Sequence, residues 1–345
     1  MWRSSAVLLL VFPLLLVSLG NCSDTTEKDV VIRVIPTNLI QLKYLQSLQL
    51  QHVEIESFLL EKSQEYEFVD LIDFGDSYEG RNLWDLRINK PNPNGSQKNV
   101  FWLDANIHAR EWITSAVATW IINELLTNSD LNDVIEQWDI HINPILNPDG
   151  LQYTKTEDRL WRKTRSPNSE SSCIGADANR NWDYSFGGPG SSDNPCSNYY
   201  HGSRAFSEPE TAAASEYISN LTQQPDMYLA LHSFSQFVLT PWGDSYEHPE
   251  DYEDLMNIAL RGEAEIERVG GGYWESGIVS ELLHMGSGGA RDWAKGIQGI
   301  KYAFTFELRD RGEYGFLLPA EQIIPAAQET LAGILAMLNA YLAAS

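Results

Sequence analysis

Residues 99–107 read NVFWLDANI, a largely apolar run, and a helical pattern follows from about residue 111 to 126. Such a run reads as a strand buried on both faces. Strands of this kind belong to parallel sheets, whose crossover connections lay helices over both surfaces. The alternation continues with WDIHINPIL (138–146), a helix from 208 to about 220, and MYLALHSF (227–234). An amphipathic helix over 249–268, GIKYAFTFEL (299–308) and a last helix over about 320–343 complete it. The expected fold is therefore α/β: a mixed, largely parallel twisted sheet with helices on both faces. Ser207, followed by Pro209 and Glu210, is expected to cap the 208–220 helix.

The chain carries 24 basic and 48 acidic side chains in 345 residues, a formal net charge of −24. That balance argues against nucleic acid or an anionic membrane as a partner, and it makes any cluster of arginines informative. Residues 1–22, MWRSSAVLLLVFPLLLVSLGNC, read as a secretory signal peptide, with Arg3, an apolar run from Ala6 to Leu19, and small Ser18 and Gly20 near the cleavage point. The run is short for a membrane span, so a soluble, extracellular protein is expected. Cleavage after Cys22 leaves Cys173 and Cys196, which can pair in an oxidising compartment, whereas cleavage after Gly20 leaves Cys22 as a free thiol. Asn94 in NGS and Asn220 in NLT head sequons that fit a secreted surface, although such triplets also arise by chance. Residues 164–205 are rich in Gly, Ser, Asn and Pro and read as one long irregular segment, the kind of loop that is usually functional.

His108 and Glu111 lie three residues apart in DANIHAREW, just past the first of these strands, where an imidazole and a carboxylate can meet one metal ion. With seven histidines present, such a pair also occurs by accident. A catalytic zinc needs a third protein ligand. His232, at the end of MYLALHSF, is the candidate, its bland alternative being a hydrogen-bonded core histidine. His108, Asn147, His232 and Glu307 all fall at or just past the carboxyl ends of expected strands, the edge where open α/β sheets place their ligands. Glu307 ends the apolar strand in FTFELRD, so its partly desolvated carboxylate can take a proton from water at a metal; an ion pair with Arg309 is the alternative. Arg159, Arg162, Arg165 and Arg180 crowd DRLWRKTRS and DANRNW. A planar guanidinium fork suits a carboxylate substrate or a developing oxyanion. Simple solvation accounts for Arg165 better than for the arginines beside Leu160, Trp161 and Trp182.

The motifs IHAREW, NPDG, RLWRKTRS, DANRNW, HSFSQ, SGGARDW and FTFELRDRGEYGFLLP stand in the order found in zinc metallocarboxypeptidases of the carboxypeptidase A/B type. From about residue 53 onward the chain resembles that family. The resemblance implies one Zn2+ ion on His108, Glu111 and His232, with Glu307 as general base and later proton donor. It implies that Arg162 polarises the scissile carbonyl and holds its oxyanion, helped by Arg110 in the outer site, while Asn179 and Arg180 grip the terminal carboxylate of a peptide. The substrate is then a peptide or protein C-terminus, and a monomer is expected.

Two positions depart from the family pattern. His284 stands where the family usually has a mobile tyrosine; a protonated imidazole donates more strongly, so substrate affinity is expected to weaken as pH rises through its titration. Arg291 lies at the expected floor of the pocket for the terminal side chain, which is apolar in the A type and holds aspartate in the B type. An arginine there resembles the O type and predicts preference for C-terminal Glu or Asp, unless it pairs with Glu281 or another internal acid. On this reading LLHMGSGGARDW (282–293) is a pocket wall and not a phosphate cradle.

The expected organisation is a signal peptide (1–22), a remnant of an inhibitory propeptide (23–52) and the catalytic domain (53–345). DVVIRVIPTNLIQLKYLQSLQ (29–49) resembles only the opening strand and helix of such a propeptide. That implies a protein needing no activation cleavage, a splice form, or an incomplete gene model. The leading expectation is a secreted zinc carboxypeptidase preferring acidic C-terminal residues. Its rivals are a catalytically silent or poorly folded splice form, and a secreted peptide-binding protein of the same fold.

Overall fold

The computed structural model describes residues 52–344. The signal-peptide and propeptide readings, and Cys22, lie outside the described residues. In chain order the elements begin α1 (His52–Glu65), β1 (Val69–Asp76), β2 (Asn82–Ile88), β3 (Asn99–Ala105), α2 (Trp112–Thr127), α3 (Asn132–Gln137), β4 (Trp138–Asn143) and α4 (Pro148–Thr156). A small hairpin of β5 (Pro167–Asn168) and β6 (Ser171–Ile174) follows, then α5 (Pro209–Ser219), β7 (Met227–Ser233), β8 (Phe237–Thr240) and α6 (Tyr252–Arg268). The chain closes with β9 (Glu275–Ile278), α7 (Val279–Leu282), α8 (Ala290–Gly296), β10 (Tyr302–Leu308) and α9 (Ile323–Ala344).

One eight-stranded sheet runs in the order β1-β2-β4-β3-β7-β10-β8-β9. Its centre, β4-β3-β7-β10, is parallel, and antiparallel pairings join β2 to β4 and β8 to β10. The apolar runs explain the centre: β7 is buried at every position, as a strand covered on both faces must be. On one face Trp102, Tyr228, Ala230 and Ala303 pack against Ala214 and Ile218 of α5 and against Ala290, Trp293 and Ala294 of α8. α2 lies over β3, β4 and β7, and α9 packs on α2 and α6. By length and composition α9 is apolar enough to span a membrane, yet Ala326, Ala327, Ile334, Met337 and Leu338 are buried in this core.

The expected capping of α5 is corrected. Glu208, not Ser207, is the N-cap residue, and no side chain caps the helix. Pro209 occupies the first turn, where a missing N–H costs nothing, and the Ser207 hydroxyl instead donates to Glu208 Oε1 at 2.9 Å. Residues 164–205 are mostly irregular, as expected, and a Cys173–Cys196 disulfide staples them.

Candidate active site

Parallel strands deliver their carboxyl ends to one edge, and the candidate residues collect there. His108 follows β3, Glu111 is the N-cap residue of α2, His232 lies in β7, and Glu307 of β10 is the register partner of His232. The turn that presents His108 and Glu111 depends on Asn106, which is buried with φ +56°, a conformation asparagine tolerates better than most residues. Its side-chain amide donates to the carbonyls of His108 and Glu111 at 3.3 and 3.4 Å.

His108 Nδ1 lies 2.8 Å from Glu111 Oε1 and 3.1 Å from His232 Nδ1, and His232 Nδ1 is 3.2 Å from Glu111 Oε2. All three residues are buried. Atoms bonded to a tetrahedral zinc at about 2.0–2.1 Å stand roughly 3.3 Å from one another, so this spacing fits the ion. The surrounding bonds fit as well. The other nitrogen of His108, Nε2, meets Asp177 Oδ1 at 3.1 Å, the outer carboxylate that orients a ligating imidazole, and the Ser233 N–H donates to Glu111 Oε2 at 3.2 Å. Burial, reinforced by the Arg162 charge, lowers the His108 pKa and so favours a neutral ring. Burial pushes the Glu111 carboxyl upward, but His108 and His232 outweigh it and hold it below the usual carboxylate range. Glu307 goes the other way: burial and the Glu111 charge raise it well above that range.

Arg162 is fixed side-on, donating from Nε and Nη2 to Asp177 Oδ2 at 3.0 and 2.9 Å, with Nη1 3.9 Å from Glu111 Oε1. Burial drives the Asp177 pKa up, yet the Arg162 and His108 charges bring it well below its ordinary value. Asn179 Oδ1 accepts from the Ala290 N–H at 2.9 Å, and Arg180 Nη2 lies 3.3 Å from His284 Nε2. Arg110 stacks 4.0 Å from the centre of the Phe316 ring, and Arg159 donates to Arg110 O at 2.9 Å. The three ligand residues and Glu307, with Arg110, Arg162, Asn179, Arg180 and His284, line a cavity of about 230 Å³ that also includes Tyr199, Leu239, Val279, Leu283, Arg291 and Thr305.

Asn147, one of the four strand-end residues noted in the sequence, plays a scaffold role. It caps α4 by accepting from the Gly150 N–H and donates to Ile107 O and Lys163 O at 3.1 Å each. Arg291 has an internal partner, though not Glu281. Its Nε and Nη2 donate to Asp292 Oδ1 at 3.0 and 2.8 Å, leaving Nη1 3.4 Å from Thr305 Oγ1. The Asp292 carboxylate is fixed in turn by the Gly243 N–H at 2.7 Å. His284 is exposed at the mouth. Partial burial and the Arg180 and Arg162 charges lower its pKa from 6.5, so its protonated form is favoured only in more acidic solution than for a free imidazole.

Comparison with known proteins agrees with this geometry. Residues 55–333 match the family model described as zinc carboxypeptidase. The chain belongs to the zinc carboxypeptidase family. It is 41% identical to the carboxypeptidase B of Astacus astacus, over 83% of this chain and 94% of that protein. It is also 41% identical to mouse carboxypeptidase A2, over 77% of this chain and 63% of that protein. Among solved structures, bovine thrombin-activatable fibrinolysis inhibitor in complex with tick carboxypeptidase inhibitor superposes with a TM-score of 0.82 at 34% identity, covering 88% of this chain and all of that one. The protein is thus a metallocarboxypeptidase, a zinc-dependent hydrolase acting on peptide C-termini.

Asp177 and Asn106 carry no signal of their own in the sequence. Asp177 stands inside DANRNW and Asn106 inside DANIHAREW, so proximity to motif residues was the available signal.

Proposed function

We propose that this metallocarboxypeptidase trims peptides in an extracellular compartment and prefers an acidic last residue. The observation that carries the preference is the side-on pairing of Arg291 with Asp292, which leaves Nη1 beside Thr305, a fellow residue of the pocket lining. A substrate side-chain carboxylate accepts from Nη1 there. Because Asp292 already balances the guanidinium charge, discrimination arises from directed hydrogen bonds more than from net charge. Leu239, Val279 and Leu283 supply apolar walls for the intervening methylenes.

His108, Glu111 and His232 hold the zinc, which when bound supplies Lewis acidity toward water and a carbonyl oxygen. Glu307 takes a proton from the attacking water and returns it to the leaving amine, a task that suits a carboxylate held beside the ligand set in register with His232. Arg162 Nη1 donates to the substrate carbonyl as its oxygen gains charge, pre-aimed by Asp177, with Arg110 assisting further out. Asn179 and Arg180 hold the terminal carboxylate, and His284 closes the mouth beside Arg180. Holding both ends of the last residue fixes its carbonyl at the metal centre, replacing a random encounter by an oriented one.

The Cys173–Cys196 disulfide supports export to an oxidising compartment. The reading takes residues 1–22 as a cleaved signal peptide, 23–52 as a propeptide remnant and 53–345 as a catalytic domain acting as a monomer. A silent peptide binder has no use for Glu307 beside the ligand set, which favours turnover. The test is kcat/KM for peptides differing only in their last residue. Glu is expected to exceed Phe by roughly tenfold to a hundredfold, the worth of a charge-assisted hydrogen bond; faster release of Phe or Lys overturns the preference.

A further inference from the structure

The edge of the sheet opposite the catalytic one, where β3, β4, β7 and β10 begin, carries both sequons found among the described residues. Asn94-Gly95-Ser96 lies in the β2–β3 connection, five residues before β3, and all three residues are exposed. Asn94 sits in a turn whose backbone is held from within, its N–H donating to Asn92 Oδ1 at 2.9 Å and the Gly95 N–H to Asn92 O at 3.0 Å. A Cβ placed on Gly95 would meet nothing within 4 Å, so the space around the turn is open. Asn220-Leu221-Thr222 follows α5, with Asn220 as its exposed C-cap residue and Thr222 also exposed. The Asn220 amide donates one hydrogen to Glu216 O at 2.8 Å, and a primary amide has a second to give.

These two segments form one patch. Gln97 donates to Gln223 Oε1 at 2.7 Å, Gln223 donates to Lys98 O at 3.0 Å, and the Val100 N–H donates to Asp226 Oδ2 at 2.8 Å. From this patch β3 and β7 run in parallel to the metal ligands. Each strand has seven residues. At about 3.3 Å per residue, about 20 Å of sheet separates the patch from the site.

We propose that Asn94 and Asn220 both carry N-linked glycans, which makes this pole of the molecule the glycosylated one and leaves the pocket mouth clear. The inference rests on the export proposed above. In the transfer an N-glycosidic bond forms between Nδ2 and the anomeric carbon of an oligosaccharide supplied as its lipid-linked diphosphate. The anomeric carbon–oxygen bond breaks, the lipid diphosphate departs, and one amide proton is lost. At Asn220 the remaining hydrogen keeps the bond to Glu216, so modification is compatible with the helix end. At this pole a bulky polar glycan extends into solvent without approaching the substrate path.

The test expresses the full chain in a eukaryotic secretory host and maps peptides from protein recovered from the medium, before and after enzymatic deglycosylation. Conversion of asparagine to aspartate is expected at both 94 and 220. Asn94→Gln and Asn220→Gln each remove one of two mass steps, and hydrolysis of a C-terminal peptide stays unchanged. Thr222→Ala keeps the Asn220 bond to Glu216 and still removes its step, which separates loss of the sequon from misfolding. Secreted protein with both asparagines unmodified overturns the inference while export stands. Unmodified protein found only in the cytosol overturns both. Glycosylated protein without peptidase activity upholds the two sites and sinks the catalytic reading alone.

Discussion

Two arginines of this molecule are held in the same way for different ends. Arg162 and Arg291 each chelate one oxygen of a buried aspartate through Nε and Nη2, and each keeps Nη1 outside the chelate, beside Glu111 in one case and Thr305 in the other. The aspartates differ in what their second oxygen does. Asp177 binds His108, a metal ligand, whereas Asp292 binds only the Gly243 backbone N–H. One pair is bonded to a metal ligand; the other is bonded to none, and its charge reaches Glu307 only through space.

The largest effect bears on the catalytic side. Glu307→Gln is expected to lower kcat by roughly a thousandfold or more at unchanged zinc content, checked by peptide hydrolysis alongside metal analysis. On the proposed preference, Arg291→Leu should invert the Glu-to-Phe ratio of kcat/KM, a swing of about a hundredfold, with zinc retained, since this pair has no bond to a metal ligand; zinc loss in this variant would break the contrast. Asp177→Asn should weaken zinc about ten- to a hundredfold in competition with a chelator, and a matching zinc loss in Asp292→Asn would again erase the contrast.

A third buried acid shows what happens without an arginine. Glu210 accepts from the Tyr78 N–H through Oε1, while Oε2 lacks a hydrogen-bond partner. Burial, with the nearby Glu208 and Asp149 charges, pushes its pKa from 4.5 up to about 8. The folded-state value lies above the unfolded one, so its contribution is fully present below pH 4.5 and is lost as pH rises through about 8. Glu210→Gln should therefore flatten stability across that window, raising unfolding free energy at pH 8 by about 1–3 kcal/mol in denaturant titrations. The smallest effect is at the mouth. His284→Phe should raise KM a few-fold with little change in kcat, and any histidine titration seen in wild-type KM should be centred below pH 6.5, because burial and the Arg180 charge lower the pKa from that value, and should vanish in the variant.

The parallel centre of the sheet was legible because β3, β4, β7 and β10 are apolar runs, whereas the flanking strands were not. β2 mixes Asp85 and Arg87 with apolar residues, and β8 and β9 are four residues each, too short for a pattern. The metal set was legible through position along those runs. Asp177 was not, since its partner His108 is 69 residues away and no local pattern links them. The partner of Arg291 was legible only as some internal acid, Glu281 or another: it is the next residue, Asp292, and neighbours along a helix do not normally face one another, whereas Glu281 lies 3.8 Å from His248.

The pairing of Glu307 with His232 across β10 and β7 gives the site a ruler made of backbone. The backbone separation between Glu307 and the metal ligand His232 is set by the interstrand repeat of about 4.8 Å, which belongs to the main-chain ladder and not to any side chain. Sliding β10 by a single residue would turn the carboxylate to the far face of the sheet, an all-or-none loss instead of a gradual one. Diversification of such an enzyme is thereby channelled into its loops: strands keep the reaction, and the segments after them decide which peptide ends reach it.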